Sequence, residues 1–284
     1  MVDRVVLLGT KGGPAVYPSA PGRLPTSSRL ELGGQQIVID CGVGVTPRLS
    51  QVGGDLKSLE TIVITHLHSD HYLEFGPLIH TAWTAGLNTP VRVIGPAGLS
   101  HYWAAFQQSM AFDIALRIDD EGRPPLSELV SVKVIDDRQM IGDIALSTCR
   151  NNHPPIQDSF ALRFEIGGKV VVFSGDTAPF DRFTAFAADA DLLVHEAMIG
   201  EGVDRLVSRV GNGARLKQHL EASHTDAEDV GRIASEARAK RLALHHLVPS
   251  DDPLISDDTW EGAVRAGGYA GPVSIGRDLL AIDL

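Results

Sequence analysis

The chain has 284 residues, 43% hydrophobic and 21% charged, with 25 Lys+Arg against 36 Asp+Glu and a formal net charge of −11. That composition belongs to a globular protein, and its acidity argues against a broad phosphate-gripping surface. No apolar run reaches the ~18 residues that span a bilayer, and two cysteines, Cys41 and Cys149, provide neither a disulfide framework nor a cysteine-rich zinc site.

The opening segment is too short and too acidic for a signal peptide and reads as a first strand, and the expected location is the cytoplasm. Short β-branched runs punctuated by Gly and Pro predict strands at 5–9, 29–32, 36–40, 61–65, 91–94, 130–135, 144–148, 160–166, 169–174, 192–195 and 241–245. Residues 118–125, rich in charge, Gly and Pro, read as a loop. Gly167-Gly168 joins two of the strands in a hairpin. Val230, Ile233, Ala234 and Ala237 mark a helix over 225–239, which Thr225 and Glu228 would open as a capping box with His224 just before it. No repeat or long linker interrupts the pattern, so 1–284 is expected to fold as a single domain of sheets covered by helices.

The decisive segment is Thr65-His66-Leu67-His68-Ser69-Asp70-His71, which follows an apolar strand directly. In extended chain His66 and His68 share a face. A turn into helix would then carry Asp70 and His71 to a second, adjacent point. Imidazole and carboxylate suit zinc and similar divalent ions.

The His66-x-His68-x-Asp70-His71 pattern resembles the signature of the metallo-β-lactamase superfamily, and the three further ligands that the resemblance implies are found in order at the ends of later strands: His153 in Asn151-Asn152-His153-Pro154, Asp176 in Ser174-Gly175-Asp176-Thr177, and His246 in His245-His246-Leu247. The resemblance covers essentially the whole chain and implies an αββα four-layer sandwich of the α+β class. It also implies two divalent ions, zinc first with manganese or iron possible. His66, His68 and His153 would hold one ion, Asp70, His71 and His246 the other, with Asp176 between them and Asp40 beneath the site. A hydroxide held between two such ions would be the nucleophile.

Asp191-Leu192-Leu193-Val194-His195-Glu196-Ala197 and Ser223-His224-Thr225 are similar to two motifs of the RNase Z branch. Carried over, Asp70, Glu196 and His224 share the catalytic work, with His224 assisting the leaving group and Glu196 orienting it. A helix N-terminus beside His224 would lower its pKa. Three features speak against tRNA 3′-processing. The interval from His153 to Asp176 lacks the branch's protruding arm, the chain is acidic, and Ser69 replaces the usual Gly.

The leading expectation is therefore a hydrolase of a small ester-like bond, whether carboxyl ester, lactone, cyclic amide, phosphodiester or sulfate ester. The alternatives are an RNase Z-type phosphodiesterase on nucleotides or short RNA, and a mononuclear iron oxygenase. Trp83, Tyr102, Trp103, Phe106, Met110 and Phe112 are expected either to line an apolar pocket for the small-molecule substrate or to pack on the sheet or on the partner subunit of a homodimer. His80, His101 and His219 read as surface or packing residues. His195 should face away from Glu196, and His245 should alternate away from His246. The segment from Lys11-Gly12-Gly13-Pro14 to Pro25 is a candidate flap over the site.

Overall fold

The computed structural model describes residues 2–16 and 23–284, so the middle of the candidate flap lies outside the described residues. β1 (Arg4–Gly9), β2 (Ser27–Leu32), β3 (Gln35–Ile39), β4 (Thr61–Val63), β5 (Val91–Gly95) and β6 (Val130–Val134) form one sheet, in the order β14-β1-β2-β3-β4-β5-β6 with β14 (Leu280–Asp283) at its edge. β7 (Arg138–Ile141), β8 (Ile144–Arg150), β9 (Phe160–Ile166), β10 (Lys169–Phe173), β11 (Leu192–Met198), β12 (Leu242–Val248) and β13 (Val273–Ile275) form the other, in the order β13-β12-β11-β10-β9-β8-β7. Each sheet is antiparallel on one side and parallel on the other. Pairing switches to parallel at β3–β4 in the first sheet and at β10–β11 in the second.

The inner faces meet through Val5, Leu30, Ile37 and Val63 against Leu162, Phe164, Val171 and Val194. Outside the first sheet lie α1 (Val45–Gln51), α2 (Ser69–Tyr72), α3 (Phe75–Thr84), α4 (Leu99–Ser109), α5 (Ala111–Glu121) and α6 (Leu126–Leu129). Phe75, Leu78, Trp83 and Trp103 of this layer pack on Ile62, Ile64 and Val93. On the second sheet's side lie α7 (Asp181–Phe186), α8 (Gly200–Val207), α9 (Gly213–Ser223), α10 (Ala227–Glu236) and α11 (Asp257–Ala266). There Phe183, Val230, Ile233 and Trp260 cover Leu193 and Leu244. Helix, sheet, sheet, helix is the expected four-layer sandwich, and no described helix is long and apolar enough to cross a membrane.

Local readings differ from the structure in instructive places. β7, β13 and β14 carry too few consecutive β-branched residues to announce themselves, and their partners recruit them at sheet edges. Helix α5 runs through Glu121 and stops at Gly122, whose φ of 66° closes it, so the loop expected at 118–125 begins only there. Asp226, not Thr225, caps α10 by accepting from the Glu228 N–H. The Thr225 hydroxyl is buried and donates instead to the Thr177 carbonyl. The Gly167-Gly168 turn is as expected, both residues having positive φ.

α10 crosses α11 at a glycine. A Cβ on Gly231 would sit 2.0 Å from the Val264 carbonyl oxygen, so the two backbones touch. Gly231→Ala should therefore lose about 2 kcal/mol of stability through overpacking, although alanine is the better helix former. Urea unfolding of the two proteins measures the difference.

Candidate metal centre

The predicted ligand residues gather where the parallel strands of both sheets end, the usual place for a site in such sheets. Beyond β4 the chain stays extended through His68, whose φ and ψ of −79° and 143° make it the residue preceding α2. His66 and His68 thus point the same way, while the first turn of α2 carries Asp70 and His71 to a neighbouring position. His66 Nε2 lies 3.1 Å and His153 Nε2 2.9 Å from His68 Nδ1. Asp176 Oδ2 stands 3.7 Å from His66 Nε2, 3.3 Å from His71 Nε2 and 3.1 Å from His246 Nε2. His246 Nε2 is also 3.2 Å from Asp70 Oδ2. Four donors bound at about 2.1 Å in a tetrahedron stand about 3.4 Å apart, so these spacings match an ion's ligand shell.

The other ring nitrogens are already engaged. His71 Nδ1–H donates to Asp40 Oδ2 at 2.7 Å, and His153 Nδ1–H donates to the Ser223 carbonyl at 2.9 Å. The Thr65 hydroxyl gives its one hydrogen to Asp40, so it accepts from His66 Nδ1–H at 3.1 Å. Lone pairs at His66 Nε2, His71 Nε2 and His153 Nε2 are therefore left facing inward. His71 Nε2 and Asp176 Oδ1 are buried with no hydrogen-bond partner. A cation resolves that convergence, and the residues fit one.

Charge supports the same reading. Burial disfavours ionised Asp70 and Asp176, yet His71 and His246 outweigh it and hold both carboxyls well below the usual range. Burial pushes His66 well down, and His153 to about 4, so both rings are neutral donors. At His71 burial is outweighed by Asp176, Asp40 and Asp70, which push its pKa well up, so a proton and an ion would compete for its Nε2.

Two backbone distortions aim the site. Asp40 has φ of 59°, turning its carboxylate under His71, where the sequence placed it. In β12 the register slips: Glu196 faces His245, Ala197 faces Leu247, and His246 is the extra residue, with φ of 42°. Such a bulge re-aims a side chain. It also changes the expected alternation, because His245 and His246 now line the same small cavity of about 20 Å³ beneath the site. His245 Nε2–H donates to the Gly9 carbonyl there, and burial takes its pKa down to about 3.

Glu196 and His224 are brought together as expected: His224 Nδ1–H donates to Glu196 Oε2 at 2.7 Å, leaving Nε2 for the groove. His224 terminates α9 as well as preceding α10, and burial lowers its pKa. Its ring stacks on His246 at 5.3 Å.

The groove over the cluster, about 320 Å³, has walls the sequence did not indicate. Leu206 of α8, Val210 in the following turn, and Leu216, His219 and Leu220 of α9 form one side. Lys11, Gly12, Gly13, Pro14 and Ala15 form another. Gly12 presses so near His246 that a Cβ would fall 2.9 Å from its ring, and Gly13 N–H donates to Asp70 Oδ2. Of the two expectations for the aromatic residues, packing on the sheet fits: Trp83 and Trp103 are core, Tyr102 and Phe106 pack on it, Phe112 is 84% exposed, and none of them lines this groove. His80 pairs with Asp113 and His101 is exposed, but His219, read as surface or packing, lines the groove. Its place in the sequence five residues before His224 was the only hint.

A two-sheet sandwich with histidine and carboxylate donors at its strand ends defines a metal-dependent hydrolase. Comparison with known proteins agrees. Residues 35–247 match the model of the beta-lactamase superfamily domain. Ribonuclease Z of Mycolicibacterium gilvum is 31% identical over 288 residues, covering 99% of this chain and 96% of that protein. Among solved structures, the metallo-beta-lactamase fold protein YhfI from Bacillus subtilis superposes with a TM-score of 0.73 at 20% identity, over 99% of each chain. The short form of human tRNase Z gives 0.69 at 21% identity, over 99% of this chain and 98% of that one. The chain belongs to the metallo-β-lactamase superfamily, in its RNase Z-like branch.

His195 does face away from Glu196, packing edge-on against Phe183 on the helix side of β11. Burial lowers its pKa from 6.5 to about 4. Between those values the unfolded chain binds the extra proton, so stability present above 6.5 is lost as the pH falls toward 4. Between about pH 7.5 and 5 the wild type should lose about 2 kcal/mol more than His195→Asn, as read by urea unfolding at both pH values.

Proposed function

We propose that the chain is a dinuclear, zinc-dependent phosphodiesterase acting on nucleotides or short RNA, with 1–284 working as one domain. The observation that carries this reading is Asp176 Oδ2, which stands within 3.7 Å of donors from both histidine clusters. The choice of a phosphodiester over other small esters is supported by the end-to-end likeness to a ribonuclease Z. That likeness runs over 288 residues with 96% of the relative covered, leaving no room for a long arm in the relative. The missing arm therefore does not separate this chain from proteins of that name. The net charge of −11 and a groove with Lys11 as its one Lys or Arg among the described residues favour short substrates over a large folded RNA.

His66, His68, His153 and Asp176 would hold one ion, and Asp70, His71, His246 and Asp176 the second. When bound, such ions polarise a phosphoryl group and lower the pKa of water. The chain's own groups do the rest. Asp40 and the Ser223 carbonyl fix the orientations of His71 and His153. Glu196 holds His224 through Nδ1–H and steadies the imidazolium that forms when Nε2 takes up a proton, and that proton is the one offered to a leaving oxygen. Leu206, Val210, Leu216 and Leu220 shield one side of the groove from water.

Elemental analysis of the purified protein should give two equivalents of zinc, with turnover of bis(p-nitrophenyl) phosphate that chelators remove. One equivalent of iron without phosphodiester turnover overturns the proposal. His224→Ala should lower kcat on a dinucleotide about 100-fold or more, because an alkoxide needs a proton to leave. The loss on the nitrophenyl ester should be much smaller, since nitrophenolate departs unaided. Asp40→Ala, which removes the acceptor for His71 Nδ1–H, should weaken zinc binding about 10–100-fold in a competition titration against a chromogenic chelator.

A further inference from the structure

His219 belongs to neither ligand cluster, yet it occupies a distinctive place in the groove wall. The groove-facing residues of α9 are Leu216, His219 and Leu220, and Ser223 continues the same helical face beneath them. Two of these are leucines. Ser223 is buried, and its hydroxyl is spent on the Pro154 carbonyl at 2.7 Å. With that hydrogen committed, Ser223 Oγ can only accept from His219 Nδ1–H, which lies 3.3 Å away. The hydrogen of the neutral ring is thus on Nδ1, and Nε2 carries a bare lone pair. No described residue donates to it. The ring centroid stands 5.8 Å from that of His68, 6.3 Å from His153 and 6.1 Å from His224. His219 therefore sits beside both one metal-ligand set and the residue that offers a proton to the leaving oxygen.

A bare acceptor at that position calls for a donor on the substrate close to the leaving oxygen. Phosphate oxygens are acceptors and cannot serve. A ribose esterified at its 3′ oxygen can, because its 2′-hydroxyl is one carbon away, whereas 2′-deoxyribose has nothing there. We propose that His219 is a substrate-binding residue whose Nε2 accepts a hydrogen bond from the 2′-hydroxyl beside the scissile P–O3′ bond, so that the enzyme prefers ribo- over deoxyribo-phosphodiesters. This rests on the phosphodiesterase reading above and specifies the substrate. In the reaction, the oxygen of water bonds to phosphorus and the P–O3′ bond breaks. O3′ takes the Nε2 proton of the His224 imidazolium, the attacking water gives one proton to solvent, His224 regains one from solvent, and the products are a 2′,3′-diol and a 5′-phosphate.

The test compares a ribodinucleotide with the same dinucleotide carrying a single 2′-deoxy sugar at the 3′-esterified position. It uses the zinc-loaded enzyme at about pH 8, above the ordinary imidazole range. The wild type should show a ribo-to-deoxy ratio of kcat/KM of about fivefold or more, the worth of one hydrogen bond. His219→Ala should bring that ratio close to one. His219→Gln, whose carboxamide oxygen also accepts, should keep part of it. A residue that merely packs beside His68 would change both rates equally, so an unaltered ratio in His219→Ala overturns the inference. If the wild type cleaves bis(p-nitrophenyl) phosphate but shows no ribo preference, His219 loses this role while the phosphodiesterase stands. Failure on every phosphodiester overturns both.

Discussion

The structure depends on how its histidines are hydrogen-bonded on their far sides. Imidazoles crowd together at the rim of the sandwich, and in His66, His71, His153 and His224 one nitrogen already gives its hydrogen to a hydroxyl, a carboxylate or a carbonyl. That arrangement fixes the tautomers and leaves lone pairs aimed inward. It also explains the costly backbone around the site. A non-glycine residue in the left-handed region is unfavourable, and Asp40 and His246 both adopt it. Asp40 thereby reaches His71, and His246 leaves the β12 ladder to face Asp70 and Asp176. Without these distortions the donors would lie on different faces of their sheets.

The groove above is asymmetric, and the asymmetry separates two tasks. On one side backbone approaches the cluster: Gly12 abuts His246, and Gly13 bonds Asp70. This wall contributes shape and holds a ligand residue in place. On the other side α8 and α9 supply leucines, with one imidazole among them. That wall is apolar apart from the single imidazole. A pocket that is mostly apolar with a few convergent polar atoms is the general pattern for small-ligand recognition.

How much of this was legible in the sequence depended on whether the signal was local. The His66 to His71 run is readable because strand and helix periods dictate which side chains share a face. Asp176 and His246 were readable because the resemblance requires further ligands in order and each stands where a strand ends. Asp40 was placed beneath the site by likeness to relatives, and its positive φ shows why no propensity rule would have found it. The bulge at His246 is set by pairing with β11, a partner some fifty residues earlier in the chain, so simple alternation misassigned His245. The aromatic residues of α3 and α4 were noticed because they are large, but size speaks for core as readily as for a pocket, and they proved to be core. The actual wall, α8 and α9, is built from ordinary leucines whose importance comes only from where the α9 hairpin folds back. His219 was undervalued for the same reason.

The candidate ligands do not come from one layer. His66, His68, Asp70 and His71 follow β4 of the first sheet, whereas His153, Asp176 and His246 belong to the second. A single ion held by both groups acts as a rivet between the two halves of the sandwich, at the edge where the apolar interior between them ends. Binding there is linked to the closing of one sheet upon the other, because the complete donor set exists only when they are docked. Occupancy of the rim and cohesion of the two halves are then one equilibrium observed from two directions.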